Sequence, residues 1–280
     1  MQLPLPSANP SRRSVLPMPY FVTEDQTPIY FADEGPRSAE AIFLIHGEPC
    51  NSLFWQKNIG ELSRSYRVVA MDIRGRGQSG KAEHGHTLGQ YGRDVRGLME
   101  TLGLTRVVLV GWSLGSAVGW RYIEQFGSDR LCGFVNVDQS PYRYVSEQNL
   151  EERLTKAKEN RLQNHRAAMI GYFGDAAAEN EDVIQWMTYE CMKTHTHSYV
   201  SVFTEAYVTD FRPLLPAIGI PTQTHYASFG AVKPEMVKYI SEHSTQSEAI
   251  FYDDCGHLIP WAQPRKFNEE LLKFCRKAGL

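Results

Sequence analysis

Apolar residues along this chain alternate between short unbroken runs and stretches in which they recur every three or four positions. The runs at 41–45, 66–71, 106–110, 131–137, 220–226 and 249–252 are too short for helices and read as strands buried on both faces. Residues 20–35 predict two further short strands joined by a turn at Glu24-Asp25-Gln26. Helical spacing is read at 52–65, at 87–102 through Leu88, Tyr91, Val95, Leu98, Met99 and Leu102, and at 264–277. Strands alternating with helices imply an α/β fold with a mostly parallel sheet covered by helices on both faces. Between 142 and 212 the rhythm changes to helix-like patterning with no clear strand. This stretch predicts a helical lid inserted into a core made of residues 18–141 and 213–280. Residues 1–17, with Pro4, Pro6, Pro10 and Pro17, read as a flexible extension.

Composition narrows the class. At 280 residues, 42% of them hydrophobic, the chain can bury a substantial core as one large domain. A net charge of -3 points away from a nucleic-acid partner. No apolar run approaches the roughly 18–20 residues that span a bilayer, so no membrane partner is expected. Five scattered cysteines without metal-ligand spacing read as reduced thiols in a cytoplasmic protein. Ser11-Arg12-Arg13-Ser14 resembles a twin-arginine export signal only superficially, because Pro17-Met18-Pro19-Tyr20 follows where an apolar stretch is needed.

The chemistry centres on Gly111-Trp112-Ser113-Leu114-Gly115, which closes a strand-like run and opens helical spacing. That context is the strand, tight turn and helix of a nucleophile elbow, with glycines where the turn is too cramped for side chains. A serine hydroxyl needs a positioned base, and His257, in a loop directly after the last strand, sits at the same sheet edge. His225 falls within a strand and reads as core or rim, while His84 and His86 lie in a loop. His195 and His197 lack a third ligand, so no metal is assigned.

Several segments carry a resemblance. Met18-Pro19-Tyr20, His46-Gly47-Glu48-Pro49, Asp72-Ile73-Arg74-Gly75-Arg76-Gly77-Gln78-Ser79, the serine elbow and Cys255-Gly256-His257 resemble the α/β-hydrolase superfamily, especially its small, lidded esterase and haloperoxidase-like branch. The likeness spans about residues 18–278 and is weakest through the lid. In most of that branch the acid that orients the histidine follows the strand at 220–226, in a segment resembling G-x-x-D. Here that segment reads Tyr226-Ala227-Ser228-Phe229-Gly230, with no carboxylate before Glu235. Asp138, at the tip of the strand after the elbow helix, is the substitute, as some superfamily members place their acid there. Its ordinary reading is a cap for the following turn. Glu235, Asp253 and Asp254 are the alternatives.

The resemblance also implies an oxyanion hole from the backbone N–H groups of Glu48 and Leu114, each such donor contributing about 3 kcal/mol. The Glu48 carboxylate would repel an oxyanion unless turned away, for example by pairing with Arg74. Arg74 and Arg76 themselves read as structural ion pairs near Asp72. A lid rich in tyrosine, phenylalanine and methionine suggests an apolar or aromatic small-molecule pocket.

The expectation is a serine hydrolase acting on a small-to-medium carboxylic ester or lactone, with Ser113, His257 and Asp138 as its triad and no metal or organic cofactor. A cofactor-free dioxygenase or a C–C bond hydrolase would use the same residues differently. Haloalkane dehalogenation needs a carboxylate where Ser113 stands. A non-catalytic binding protein is the remaining reading, because fold alone does not establish chemistry.

Overall fold

The computed structural model describes residues 19–48, 50–143 and 146–280. Eight strands are present among them: β1 (Tyr20–Val22), β2 (Pro28–Glu34), β3 (Glu40–Ile45), β4 (Arg67–Met71), β5 (Arg106–Trp112), β6 (Leu131–Val137), β7 (Thr222–Phe229) and β8 (Ser247–Gly256). They form one sheet in the order β1-β2-β4-β3-β5-β6-β7-β8. Only β1 and β2 run antiparallel to their neighbours, and every pairing from β4 to β8 is parallel. The alternation of patterns therefore gave the architecture correctly.

Helices α1 (Gln56–Leu62), α2 (Leu88–Thr101) and α3 (Leu114–Phe126) follow β3, β4 and β5. Four more lie between β6 and β7: α4 (Glu147–Glu159), α5 (Arg161–Phe173), α6 (Glu181–Met192) and α7 (Thr196–Val208). The C-terminal part adds α8 (Pro234–His243), α9 (Ile259–Ala262) and α10 (Pro264–Lys277). Side chains alternate across the pleat and build two cores. Phe43, Ile45, Val69, Val107 and Leu109 face α2 and α3. Ile42, Leu44, Val68, Val108 and Val110 pack with Trp55, Phe267 and Leu271 on the opposite face. Burial on both faces is why these strands read as unbroken apolar runs.

The structure corrects some boundaries. The strand expected at 249–252 is the ten-residue β8, paired with β7 and resuming as Phe229↔Gly256 after an irregularity. At this sheet edge Asp253 and Asp254 face solvent, so hydrophobicity hides the strand's end. Helix α8, opened by Pro234 at its first turn, was not assigned from the sequence, although Met236, Val237, Tyr239 and Ile240 recur at helical spacing. The extension at 1–17 and Met18 lie outside the described residues.

Candidate active site

Ser113 follows β5 and precedes α3 with φ 52° and ψ -118°, a conformation that costs a non-glycine residue about 1–3 kcal/mol. Crowding explains the flanking glycines. A Cβ on Gly111 would lie 2.4 Å from the Gly115 carbonyl carbon, and one on Gly115 would lie 2.2 Å from the Ile45 oxygen. The Ser113 N–H donates to the Val137 oxygen at 2.9 Å, and the Ser116 hydroxyl donates to the Gly111 oxygen at 2.5 Å. The turn is thus braced by its own strand β5 and by the neighbouring β6.

His257 leaves β8 at the same edge. The Trp112 indole N–H donates to its carbonyl at 2.8 Å, tying the histidine loop to the residue before the serine. Tyr172 of α5 packs over the imidazole with ring centroids 4.7 Å apart, and burial pushes its phenol up to about 12. The Asp138 carboxylate receives the other side of the ring, its Oδ2 lying 2.6 Å from His257 Nδ1.

Asp138 is fully buried at the tip of β6. Its N–H continues the ladder to the His225 oxygen at 2.9 Å, after which φ turns to 52°. The carboxylate then accepts the N–H groups of Ala231 at 2.6 Å and Val232 at 3.2 Å. A Cβ on Gly230 would sit 2.5 Å from Asp138 Oδ1. The segment after β7 therefore leaves room for a carboxylate arriving from β6 and supplies backbone donors to hold it. Glu235 is exposed in the first turn of α8, and Asp253 and Asp254 are exposed on β8. Beneath the acid, His225 is enclosed between Tyr252 and Gln223, and burial depresses its pKa to about 3.

The loop after β3 lies against the serine: a Cβ on Gly47 would be 2.7 Å from Ser113 Cβ. His46 is buried, placing Nδ1 against the Gly47 oxygen at 2.8 Å and accepting the Ile73 N–H on Nε2 at 3.0 Å. Burial lowers its pKa, which keeps the ring neutral for that acceptor role. The Leu114 N–H opens α3 and so has no intrahelical acceptor. Among the described residues the Glu48 N–H has no acceptor either.

The arginine pairing expected for Glu48 is different in the structure. Arg76, not Arg74, donates to Glu48 Oε2 through Nε at 3.0 Å and Nη2 at 2.7 Å. Arg74 is instead held by Asp25 and Asp94, while Asp72 accepts the Ser52 and Gln78 N–H groups. Short-range proximity suggested Asp72, but long-range packing brings the other acids to the loop. His195 precedes α7, and the His197 ring lies 6.1 Å from that of His86. Among the described residues no group of three metal-binding side chains assembles.

Ser113, Leu114, Glu48 and His257 share a cavity of about 320 Å³ with the four-helix insertion. Met169, Tyr172, Tyr199, Phe203 and Tyr207 form its apolar wall, whereas Tyr189 and Met192 are exposed. Tyr144 lies outside the described residues. The sequence reading missed Arg143, Arg153, Lys156 and Arg161, which line the same cavity. Arg153, Lys156 and Ala157 share one face of α4 at i, i+3 and i+4, but a helix of mixed charge gave no signal that this face borders a cavity.

An acid-backed histidine and an elbow serine on one cavity wall, carried by an α/β sheet, are features of a hydrolase class. A profile describing the alpha/beta hydrolase fold matches residues 40–179. A bifunctional esterase/perhydrolase of Acinetobacter calcoaceticus is 28% identical over 92% of this chain and 100% of its own length. A non-heme haloperoxidase of Rhodococcus erythropolis is 30% identical over 73% of this chain and 79% of its own. The crystal structure of a bromoperoxidase from Bacillus anthracis superposes with a TM-score of 0.83 at 27% identity, covering 89% of this chain and 96% of that one. The chain belongs to the α/β-hydrolase family, in its small esterase and haloperoxidase branch, and is a hydrolase of that fold.

Proposed function

We propose that the protein is a serine hydrolase that cleaves a small-to-medium carboxylic ester or lactone. The observation that carries this reading is the 2.6 Å Asp138–His257 contact behind a cavity wall that His257 shares with Ser113. Asp138 keeps the Nδ1 proton in place, so the opposite ring nitrogen can accept the proton of Ser113 as Oγ attacks the carbonyl carbon. The carbonyl oxygen becomes an oxyanion against the N–H groups of Glu48 and Leu114, each contributing about 3 kcal/mol. Arg76 draws the Glu48 carboxylate aside, which supports this use of its backbone. The tetrahedral intermediate collapses with cleavage of the C–O bond, and His257 returns the proton to the leaving oxygen. Water, deprotonated by His257, then attacks the acyl-serine, releasing the acid and restoring the Ser113 hydroxyl.

Residues 142–212 act as a cap over a core of 18–141 and 213–280 in this reading, excluding water and shaping the substrate. Five buried free thiols support work in a reducing compartment such as the cytoplasm. A fluorophosphonate should label Ser113, and p-nitrophenyl butyrate should be turned over by the native protein but not by Ser113→Ala. Absence of labelling, or undiminished turnover by that variant, would overturn the proposal.

A further inference from the structure

Among the described residues, part of the positive charge around the cavity over Ser113 has no carboxylate partner. Buried arginines elsewhere meet carboxylates: Arg67 meets Asp33, Arg74 meets Asp25 and Asp94, and Arg76 meets Glu48. Arg161, at the cavity's inner wall, donates to the carbonyls of Cys191 and Thr194. Those groups lie at the end of α6, where a cation is favoured, so Arg161 is held structurally.

Arg143, which is half-buried, and Arg153 and Lys156, which are exposed at the cavity rim, differ. Among the described residues, none has a carboxylate within salt-bridge distance, although all three line the cavity. Arg143 donates to Gln139 Oε1 at 2.8 Å and stands 4.9 Å from the centre of the Tyr207 ring. Arg153 donates to the Tyr207 hydroxyl at 3.2 Å and lies 5.6 Å from that ring's centre. Two guanidinium groups are therefore gathered on one tyrosine, each with donors to spare. Among the described side chains of α4, Arg153 and Lys156 line the cavity, whereas Glu151, Glu152 and Glu159 do not. Glu48 is the cavity's only carboxylate among the described residues, and Arg76 already engages it.

We propose that the substrate carries a carboxylate on the part that does not react, seated against Arg143 and Arg153, with Lys156 drawing it in at the mouth. The inference rests on the reading of Ser113 as the nucleophile and names the substrate class of that site: a monoanionic ester or lactone. A guanidinium fork matches a carboxylate in geometry as well as charge. The apolar wall of Met169, Phe203 and Tyr199 suits the carbon chain between the carboxylate and the scissile bond.

The test compares mono-p-nitrophenyl glutarate with neutral p-nitrophenyl butyrate. The monoanion should have a kcat/KM at least roughly tenfold higher, the advantage shrinking as salt screens the mouth. The ratio of the two substrates should fall about tenfold in Arg143→Gln or Arg153→Gln, and Arg153→Glu should reverse the preference. Calorimetry on Ser113→Ala gives a readout independent of turnover: monomethyl glutarate should bind at least roughly tenfold tighter than dimethyl glutarate. Equal binding of the two, or a ratio indifferent to these substitutions, overturns the carboxylate proposal. Fluorophosphonate labelling judges the nucleophile separately, so failure of one reading is distinguishable from failure of the other.

Discussion

Replacing Asp138 by asparagine removes one charge and changes almost no volume, which makes it a direct probe of the acid. Three N–H groups converge on the carboxylate: His257 and Ala231 on Oδ2, and Val232 on Oδ1. If the amide nitrogen takes the Oδ2 position, it points a donor at two donors, and the imidazole must move its proton to the nitrogen facing Ser113. That tautomer cannot accept the serine proton. If the nitrogen takes the Oδ1 position, only the Val232 N–H is opposed and the useful tautomer survives. What is lost then is the charge that stabilises the imidazolium. At 2.6 Å this attraction is roughly 6 kcal/mol for an effective dielectric near 20. Both orientations therefore cost kcat about 10⁴-fold, the scale seen for acid-to-amide changes in such triads.

The assay is p-nitrophenyl ester turnover, with circular dichroism and thermal melting to show that Asp138→Asn is folded. A folded variant within tenfold of the native kcat would refute Asp138 as the orienting acid. The contact at Gly230 allows a stricter form. Asp138→Ala should be nearly inactive, and adding Gly230→Asp should recover part of the loss, since a carboxylate at 230 reaches the vacated space. Gly230→Asp alone should destabilise the protein, because it sets one carboxylate against another.

Two further outcomes follow from the scaffold. Gly115→Ala forces a Cβ to within 2.2 Å of a backbone oxygen, so stability should fall by roughly 3 kcal/mol despite alanine's better helix propensity. Gly60→Ala meets nothing within 4 Å and should melt at or slightly above the native temperature; equal melting of the two variants would contradict the packing argument. His225, with its pKa near 3, and His86 and His165, with pKa values near 4, stay neutral when folded because burial penalises their charged forms. The unfolded chain binds protons at these sites below about pH 6.5, so folding stability is full above that value and falls as pH drops toward 4. Each histidine contributes a slope of up to about 1.4 kcal/mol per pH unit. Urea titrations showing constant stability between pH 6.5 and 4.5 would refute this.

Whatever depends on local pattern was legible in the order of residues. Strands buried on both faces must be continuous apolar runs, and a serine turn packed against two strands must be flanked by glycines. The alternation and the Gly111-Trp112-Ser113-Leu114-Gly115 motif therefore specified the sheet and placed Ser113 within it. His257 was legible because it directly follows the last strand, at the sheet edge where the elbow also ends. Tertiary structure decided everything that depends on distance across the chain. Asp138 and His257 are separated by 119 residues, and their contact exists because β6 and β8 flank β7 while the segment after β7 offers two backbone donors instead of an acid. The partner of Glu48 was undetermined for the same reason, as packing chose Arg76 and left Arg74 to Asp25 and Asp94. The charge of the cavity was visible only once α4 was oriented. A helix of mixed charge has no fixed electrostatic face until packing determines which side is turned inward.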